Sequence, residues 1–163
     1  MEKRALSSST KQFLLRMQAN ELTEHLVYAS IARRMKDTHN KNILETIAKE
    51  ELRHALIWEN LTGEKVKPHR IKAMYLNLLS IILGFTFVLK KMESGEDAAF
   101  DTYKSFVEEI PEAQKIAEDE DRHEQQLIAM LDEERLQYVG SMVLGLSDAL
   151  VELSGTLAGL TFA

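Results

Sequence analysis

Residues 43–61 read ILETIAKEELRHALIWENL, and their apolar side chains recur at steps of three and four residues, which is the period of an α-helix. Two polar side chains interrupt the apolar stripe of this predicted helix, which consists of Leu44, Ile47, Glu51, His54, Trp58 and Leu61. A stripe of this kind faces the protein core. The stretch therefore predicts a helix that carries the motif Glu-x-x-His on its buried face.

The same motif returns on a later predicted helix. Residues 111–137 carry Glu120 and His123 on an otherwise apolar stripe of Ala113, Ile116, Leu127 and Met130. Two further predicted helices, residues 10–36 and 85–107, each carry a carboxylate near the middle of the stripe, at Glu21 and Glu96. Because the middles of antiparallel helices meet at one level, we expect all six polar side chains to converge in the core.

The rest of the chain also favours helix, since only two prolines and seven glycines occur among its 163 residues. A helix over residues 40–61 is predicted to end at Gly63, which can adopt the left-handed conformation. The very apolar residues 71–83 suit a buried crossover helix or a dimer face, and Gly84 is expected to separate them from the next helix. The predicted class is all-α, with four main helices and this crossover.

Bound cations would remove the energetic cost of clustering these acids in the core. A buried, unpartnered carboxylate is strongly destabilising, and no basic residue lies on the four stripes. Two divalent cations balance four glutamates and leave the histidines as neutral ligands. This donor set is the one that ferritin-like di-iron and di-manganese proteins use. We therefore predict a ferritin-like antiparallel four-helix bundle with two metal ions, held by Glu21, Glu51, His54, Glu96, Glu120 and His123.

Composition excludes several other kinds of site and partner. The absence of cysteine removes disulfides, thiolate zinc sites and iron–sulfur clusters, which leaves carboxylate and imidazole as metal ligands. The 26 acidic and 20 basic side chains give a formal charge of -6, so we expect no nucleic-acid partner. The N-terminal sequence MEKRALSSSTKQF lacks the apolar core of a secretory signal, which favours an intracellular domain.

Other polar residues near the predicted site have two interpretations. Glu24, one turn after Glu21, is a candidate seventh carboxylate that receives incoming ions or binds a third one. Tyr28 and Tyr103 are expected in the core with their hydroxyls on ligand carboxylates, a redox role being the alternative. Side chains off the stripes are expected in solvent, and these include His25, His39, His69, Glu45, Glu50, Arg53, Glu118, Asp119 and Asp121.

The last segment, residues 139–163, differs from the rest of the chain. It is almost entirely apolar or small, and Asp148 and Glu152 are its charged residues. Its length fits one membrane crossing, and Gly155 and Gly159 have the spacing that lets membrane helices approach closely. We therefore divide the chain into a di-metal domain, residues 1–138, and an apolar C-terminal helix, residues 139–163, after which we expect the protein to continue.

Four segments, ANELTEHLVYASIA, KEELRHA, MESGEDAAFDTY and AEDEDRHE, resemble the four helices of the rubrerythrin branch of the ferritin-like superfamily. The tail YVGSMVLGLSDALVELSGTLAGLTFA is similar to the first membrane helix of the vacuolar iron transporter family. The combination resembles the erythrin–vacuolar iron transporter fusions, also called membrane-bound ferritins. This resemblance implies the same six metal ligands and a transporter domain that begins at residue 139. It also implies that Asp148 and Glu152 help to conduct metal, the alternative being an anchoring helix with incidental acids.

Two departures bear on the chemistry that the resemblance implies. Many rubrerythrins have a further glutamate one turn after the one matched by Glu96, where this chain has Ala99. A cysteine-bearing rubredoxin module is also missing from the sequence, so electrons for peroxide reduction need an external donor. Both departures argue against peroxidase chemistry of the full rubrerythrin type.

These observations together lead us to expect a ferroxidase that oxidises two Fe(II) ions with oxygen or peroxide. Manganese is the alternative metal. The protein is expected to act in iron homeostasis and transport at a membrane, with the ferritin-like domain in the cytoplasm. Two other functions stay open: a rubrerythrin-like peroxidase in oxidative defence, and a non-catalytic metal-sensing or delivery domain of a transporter. Residues 71–83 are more apolar than one small bundle covers, which predicts a homodimer.

Overall fold

The computed structural model describes residues 6–92 and 110–161, with the backbone alone at residues 133–135, 137, 158, 159 and 161. Within these ranges all regular secondary structure is helical, which confirms the all-α class for this part of the chain. The helices are α1 (Ser8–Ala32), α2 (Thr38–Thr62), α3 (Arg70–Ile82), α4, which begins at residue 85 and is described to residue 92, and α5 (Pro111–Thr161).

Polar caps and left-handed glycines set the ends of these helices. The Ser7 hydroxyl accepts a hydrogen bond from the backbone N–H of Thr10 at the start of α1, and Asp37 caps α2 in the same way. Gly63 ends α2 with φ of +70°, and Gly84 separates α3 from α4 with φ of +87°. Both glycines act as the sequence predicted, because a side chain is strained in this conformation.

Two predicted helix ends are wrong. The first helix ends at Ala32 rather than near residue 36, and the turn after it is closed by backbone hydrogen bonds from Arg34 to Ile31 and from Met35 to Ala32. The last helix does not end near Gln137 but continues to Thr161. Gly140 lies inside it, where one glycine costs about 1 kcal/mol, too little to break a helix whose neighbours favour it.

Contacts between α1, α2 and α3 fix their directions. Lys11 of α1 reaches Glu64 just after α2, whereas His25, later in α1, contacts the Ala48 carbonyl in the middle of α2, so the two helices are antiparallel. The backbone N–H of His69, directly before α3, donates to the Thr23 hydroxyl. Further along, Arg34 donates to Ser80 of α3, so α3 runs in the same direction as α1 and the α2–α3 connection is a crossover.

The first part of α5 completes the packing around α2. Arg53 pairs with Asp119, whereas His123, one turn later on α5, reaches back to Glu50 on α2, so the two helices are antiparallel. A shared apolar core lies between α1, α2 and this part of α5 and consists of Phe13, Leu14, Met17, Trp58, Ile110, Ala113 and Ile116. The predicted stripes of these three helices are thus on their buried faces. Residues 93–109 lie outside the description, so the complete four-helix bundle stays a prediction.

Contacts divide the chain into two units, Met1–Gln126 and Leu127–Ala163. In the second unit, the described side chains from Leu136 to Leu160 are exposed. We predicted a membrane crossing in residues 139–163, but no helix in the described part of the chain is long and apolar enough for one. Asp148 and Glu152, together with nearby glycines and serines, lower the hydropathy of this segment.

The left-handed end of α2 generates a stability prediction. Gly63→Ala is expected to lower the free energy of unfolding by about 1 kcal/mol, because a Cβ disfavours φ near +70°. Gly63→Asn is the matched control and is expected to lose less than Gly63→Ala, since asparagine tolerates this conformation. Urea unfolding followed by circular dichroism measures both variants. An alanine variant as stable as the wild type would contradict the role of Gly63.

Candidate metal centre

Three helices bring polar side chains to one place inside the first unit. Glu21 of α1, Glu51 and His54 of α2, and Glu120 of α5 each offer one ligand atom, and these four atoms lie within 4.8 Å of one another. Glu21, Glu51 and His54 are almost completely buried, and Glu120 is partly buried. A buried group of three carboxylates and an imidazole can hold a metal ion.

His123 of α5 lies at the same cluster. Its Nδ1 is 3.2 Å from Glu51 Oε1 and 3.5 Å from Glu120 Oε2. The rings of His54 and His123 are stacked with centroids 5.9 Å apart. Five of the six predicted ligands therefore meet in the structure, and the sixth, Glu96, lies outside the described residues.

Glu51 and Glu120 each lie between the two histidines. Glu51 presents Oε1 to His123 Nδ1 at 3.2 Å and Oε2 to His54 Nδ1 at 3.7 Å. Glu120 presents Oε1 to His54 Nδ1 at 3.0 Å and Oε2 to His123 Nδ1 at 3.5 Å. Glu21 is on the His54 side, with Oε2 3.9 Å from Nδ1. Each inward imidazole nitrogen therefore faces one oxygen of each of two shared carboxylates.

The inward atoms of this cluster lack hydrogen bonds. Glu51 Oε2, His54 Nδ1, Glu120 Oε1 and His123 Nδ1 are buried, and none of them makes a bond of acceptable geometry. A buried polar atom without a partner typically costs about 1–3 kcal/mol. Four such atoms that face one another are therefore a cost to folding unless a cation binds between them. The residues present fit a metal ion in donor chemistry as well as in position.

The pKa values of Glu21 and Glu51, which lie near the middles of α1 and α2, shift in opposite directions. Burial raises the pKa of Glu21 well above its ordinary value, and the charges of Glu51 and Glu120 raise it further. Burial also disfavours the ionised form of Glu51, but its neighbours His123, His54 and Glu21 outweigh this and lower its pKa to about 2. Without a cation, the environment therefore favours the neutral form of Glu21 and the ionised form of Glu51.

Both histidines hold a second proton at neutral pH in the absence of metal. Burial disfavours the charged form of each ring, but Glu120 and Glu51 outweigh it. They raise the pKa of His54 to about 9 and that of His123 to about 10. Because a histidine ligand must be neutral, metal binding displaces these protons.

Glu24 is not among the four residues whose ligand atoms converge, but it lies within electrostatic reach of them. Burial, Glu51 and Glu120 raise its pKa to about 8, and Lys72 and His54 lower it only in part. Glu24 is partly buried in the structure. Its role as a seventh ligand stays a prediction.

Sequence reasoning missed two acids that contact the histidines on their outer side. We expected Glu50 and Asp119 in solvent, but Glu50 Oε2 is 2.6 Å from His123 Nε2, and Asp119 Oδ2 is 3.3 Å from His54 Nε2. Asp119 is only 5% exposed. Both acids directly precede a predicted ligand glutamate in the sequence, Glu51 or Glu120, and this adjacency was the available signal. Trp58 was also missed, and its indole N–H donates to Glu21 Oε1 at 3.2 Å.

The remaining candidates lie elsewhere. Tyr28 is buried, as predicted for a core residue, and Tyr103 lies outside the described residues. His39 and His69 are exposed, as predicted, whereas the prediction for His25 is wrong because its Nδ1 is 2.6 Å from the Ala48 carbonyl oxygen. Asp148 and Glu152 are exposed on α5.

Comparisons with protein-family models, with curated proteins and with solved structures found no match to this chain. The arguments for a metal site therefore come from the residues and their geometry.

The pKa shifts in the cluster predict how the free energy of unfolding changes with pH when a chelator keeps the protein free of metal. His54 and His123 titrate at about 9 and about 10 in the folded chain against an ordinary value of 6.5, so their favourable contribution is complete below pH 6.5 and is lost as pH rises through 9–10. Glu24, raised to about 8, has the same sign. We expect the free energy of unfolding to fall between about pH 6.5 and pH 10.

Urea unfolding at several pH values in the presence of a chelator measures this slope. His54→Gln is expected to make the slope shallower, because one of the protons is then missing. His39→Gln is the matched control, since His39 is exposed on the same helix, and it should leave the slope unchanged. A wild-type stability that stays constant or rises over this range would contradict the proton assignment.

Proposed function

We propose that this chain is a ferritin-like domain that binds two iron ions between its helices and oxidises Fe(II). The observation that carries the proposal is the set of buried, unsatisfied atoms that face one another at the centre of the cluster. Water or hydrogen bonds do not compensate these atoms easily at a buried site, whereas cations compensate all of them at once.

The arrangement of the histidines supports two ions rather than one. Each inward Nδ1 is suited to cap one ion, and Glu51 and Glu120 each have one oxygen near each histidine, as bridging carboxylates require. Glu21 would then be a terminal ligand of the ion at His54. In this proposal Glu96 is the equivalent ligand of the ion at His123, supplied by the fourth helix of a ferritin-like bundle.

The proposed activity treats iron as the substrate. Two Fe(II) ions each lose one electron, and together they reduce dioxygen by two electrons, with two protons, to hydrogen peroxide. The protein supplies binding, orientation and burial from bulk water through Glu51, Glu120 and the two histidines. Manganese suits the same carboxylate and imidazole donors, so the donor set supports iron or manganese, and the resemblance to rubrerythrins favours iron.

The transport role rests on the resemblance to the vacuolar iron transporter fusions. In this proposal residues 139–163 continue into a membrane transporter, Asp148 and Glu152 contribute to metal conduction, and the ferritin-like domain lies in the cytoplasm. The two acids are four residues apart and therefore share one face of α5, which supports a common role.

Metal content provides the direct test of the binding site. Mass spectrometry of wild-type protein reconstituted with Fe(II) under nitrogen is expected to find two ions per chain, and Glu51→Ala is expected to retain less than one tenth of that. Glu51 contacts both histidines, so its loss affects both ions. Glu45→Ala on the same helix is the matched control, because Glu45 pairs with Lys41 on the surface, and it should bind as the wild type does. Equal metal in the Glu51 and Glu45 variants would contradict the site.

The oxidation step is tested by mixing the iron-loaded protein with air or with peroxide and following the ferric absorbance. A ferroxidase forms ferric product under air at a rate that Glu51→Ala abolishes. A reaction faster with peroxide by orders of magnitude would favour the rubrerythrin-like peroxidase instead. Tight iron binding with no ferric product under air would favour a metal-sensing or delivery domain.

A second copy of the chain is the proposed partner of α3. Six apolar side chains recur at steps of one and three residues on α3 and are exposed, namely Ile71, Met74, Tyr75, Leu78, Ile81 and Ile82. We call them the α3 apolar stripe. Contiguous exposed apolar surface of this kind is typical of an interaction site, and an α3 helix from each of two chains can cover both stripes.

Sedimentation velocity tests the proposed homodimer. Leu78→Lys is expected to convert dimer into monomer, because it places a charge in the middle of the α3 apolar stripe. Leu56→Lys is the matched control, since Leu56 is half exposed on α2, and it should leave the association unchanged. A monomeric wild type, or a dimer that survives Leu78→Lys, would remove this proposal.

A further inference from the structure

The connector between α2 and α3, together with the first residues of α3, is strongly basic. Residues 65–72 read Lys-Val-Lys-Pro-His-Arg-Ile-Lys, so four of the 20 lysines and arginines in the chain lie within eight residues. The sequence has no aspartate or glutamate among residues 65–92, although the whole chain has a formal charge of -6. Positive charge is therefore concentrated at one place in a chain that is acidic elsewhere. We call Lys65, Lys67, Arg70 and Lys72 the basic segment.

The side chains of the basic segment are exposed, and acids of the protein neutralise them only in part. Lys65 Nζ is 3.3 Å from Glu59 Oε1, and Lys72 is within electrostatic reach of Glu24. The other two members of the basic segment form no salt bridge with any residue that the structure describes. Two positive charges therefore face solvent at this place without a protein counterion.

A cavity of about 540 Å³ lies beside the basic segment, between α1 and the start of α3. Its lining includes Asn20, His69, Arg70 and Lys72. The backbone N–H of His69 donates to the Thr23 hydroxyl, which holds this end of α3 against α1. Amide, imidazole, guanidinium and ammonium groups all donate hydrogen bonds, and charged donors bind phosphate oxygens most strongly. The cavity therefore has the donor chemistry of a site for a phosphate group.

We propose that the basic segment binds an anionic phospholipid surface and that the cavity beside it accepts a phosphate group of that surface. Each lysine or arginine close to an anionic membrane strengthens binding about fivefold. Nucleic acid is the less suitable polyanion, because residues 65–72 contain no phenylalanine, tyrosine or tryptophan on which bases would stack. This inference depends neither on the metal centre nor on the C-terminal helix.

Flotation of the full chain with lipid vesicles tests the proposal without a variant. One set of vesicles mixes phosphatidylglycerol with phosphatidylcholine, and the other contains phosphatidylcholine alone, which measures any binding by exposed apolar side chains. The wild type is expected to bind the anionic vesicles at least about tenfold more tightly. This difference should disappear at about 1 M salt, where charges are screened within about 3 Å. Equal binding to both kinds of vesicle at low salt would overturn the proposal.

Two double variants then separate the basic segment from net charge. Lys67→Gln combined with Arg70→Gln is expected to weaken binding to the anionic vesicles on the order of 30-fold, because two membrane-facing charges are lost. Lys49→Gln combined with Lys115→Gln is the matched control, since it removes the same charge at exposed positions of α2 and α5 and should bind as the wild type does. An equal loss in both double variants, or no loss in either, would overturn the proposal.

Iron content separates this inference from the proposed function. Neither double variant changes a residue of the metal cluster, so both should take up iron as the wild type does. A chain that binds no iron but still binds the anionic vesicles would contradict the metal site alone. Iron binding without any preference for anionic vesicles would contradict the membrane surface alone.

Inorganic phosphate and single-stranded RNA replace the vesicles in a last experiment. Nuclear magnetic resonance is expected to show shifts at His69 and Arg70 when phosphate is added, because both residues line the cavity. No shift at either residue would remove the cavity from the proposal. Phosphate binding in a protein that does not bind anionic vesicles would overturn the membrane surface, and so would tighter binding to RNA than to the anionic vesicles.

Discussion

Glutamate side chains buried between helices are the constraint on which this structure depends. Glu21 and Glu51 lie in the interior of the first unit, where an ionised carboxylate without a partner is strongly destabilising. Ordinary helix packing would place apolar side chains at these positions, as it does one turn earlier at Met17 and Ile47. The chain keeps the acids and surrounds them with groups that hold a proton, such as His54 and His123, and with the indole N–H of Trp58, which donates a hydrogen bond to Glu21. Buried acids with strongly shifted pKa values are typical of functional sites.

The directions of the helices bring the polar side chains of α1, α2 and α5 together in one cluster. Antiparallel packing of α2 against both α1 and the first part of α5 brings the middles of α1 and α2 and the beginning of α5 to one level. The shared apolar core, which includes Phe13, Trp58 and Ile116, fixes that level, because sliding one helix by a turn would expose large side chains to water. Cluster geometry is therefore set by apolar contacts nearby and not by the acids themselves, which repel one another. The apolar contacts therefore hold the cluster together whether or not an ion occupies it.

The sequence allowed the buried faces to be predicted because helical periodicity depends on each helix alone. Glu21, Glu51, His54, Glu120 and His123 were all found at the predicted cluster. The contacts of Glu50 and Asp119 with the histidines could not be predicted in this way, because both acids lie beside the apolar stripe and their position depends on how two helices pack side by side. The end of α5 was mispredicted for a related reason. A glycine and a change in composition near residue 140 indicate a boundary, but local propensity still favours helix on both sides.

When no metal is bound, protons on the side chains of the cluster supply positive charge that a cation would otherwise supply. His54 and His123, with pKa values of about 9 and about 10, are charged at neutral pH, and burial raises the pKa of Glu21 and so favours its neutral form, which reduces the net negative charge of the cluster. In the proposed function, ion binding is an exchange, because a divalent cation would displace protons from the groups that bind it. Folding need not wait for metal, because the protonated cluster already satisfies most of its charge. The remaining unsatisfied atoms, among them Glu51 Oε2 and His54 Nδ1, are the ones that a cation in the cluster would satisfy.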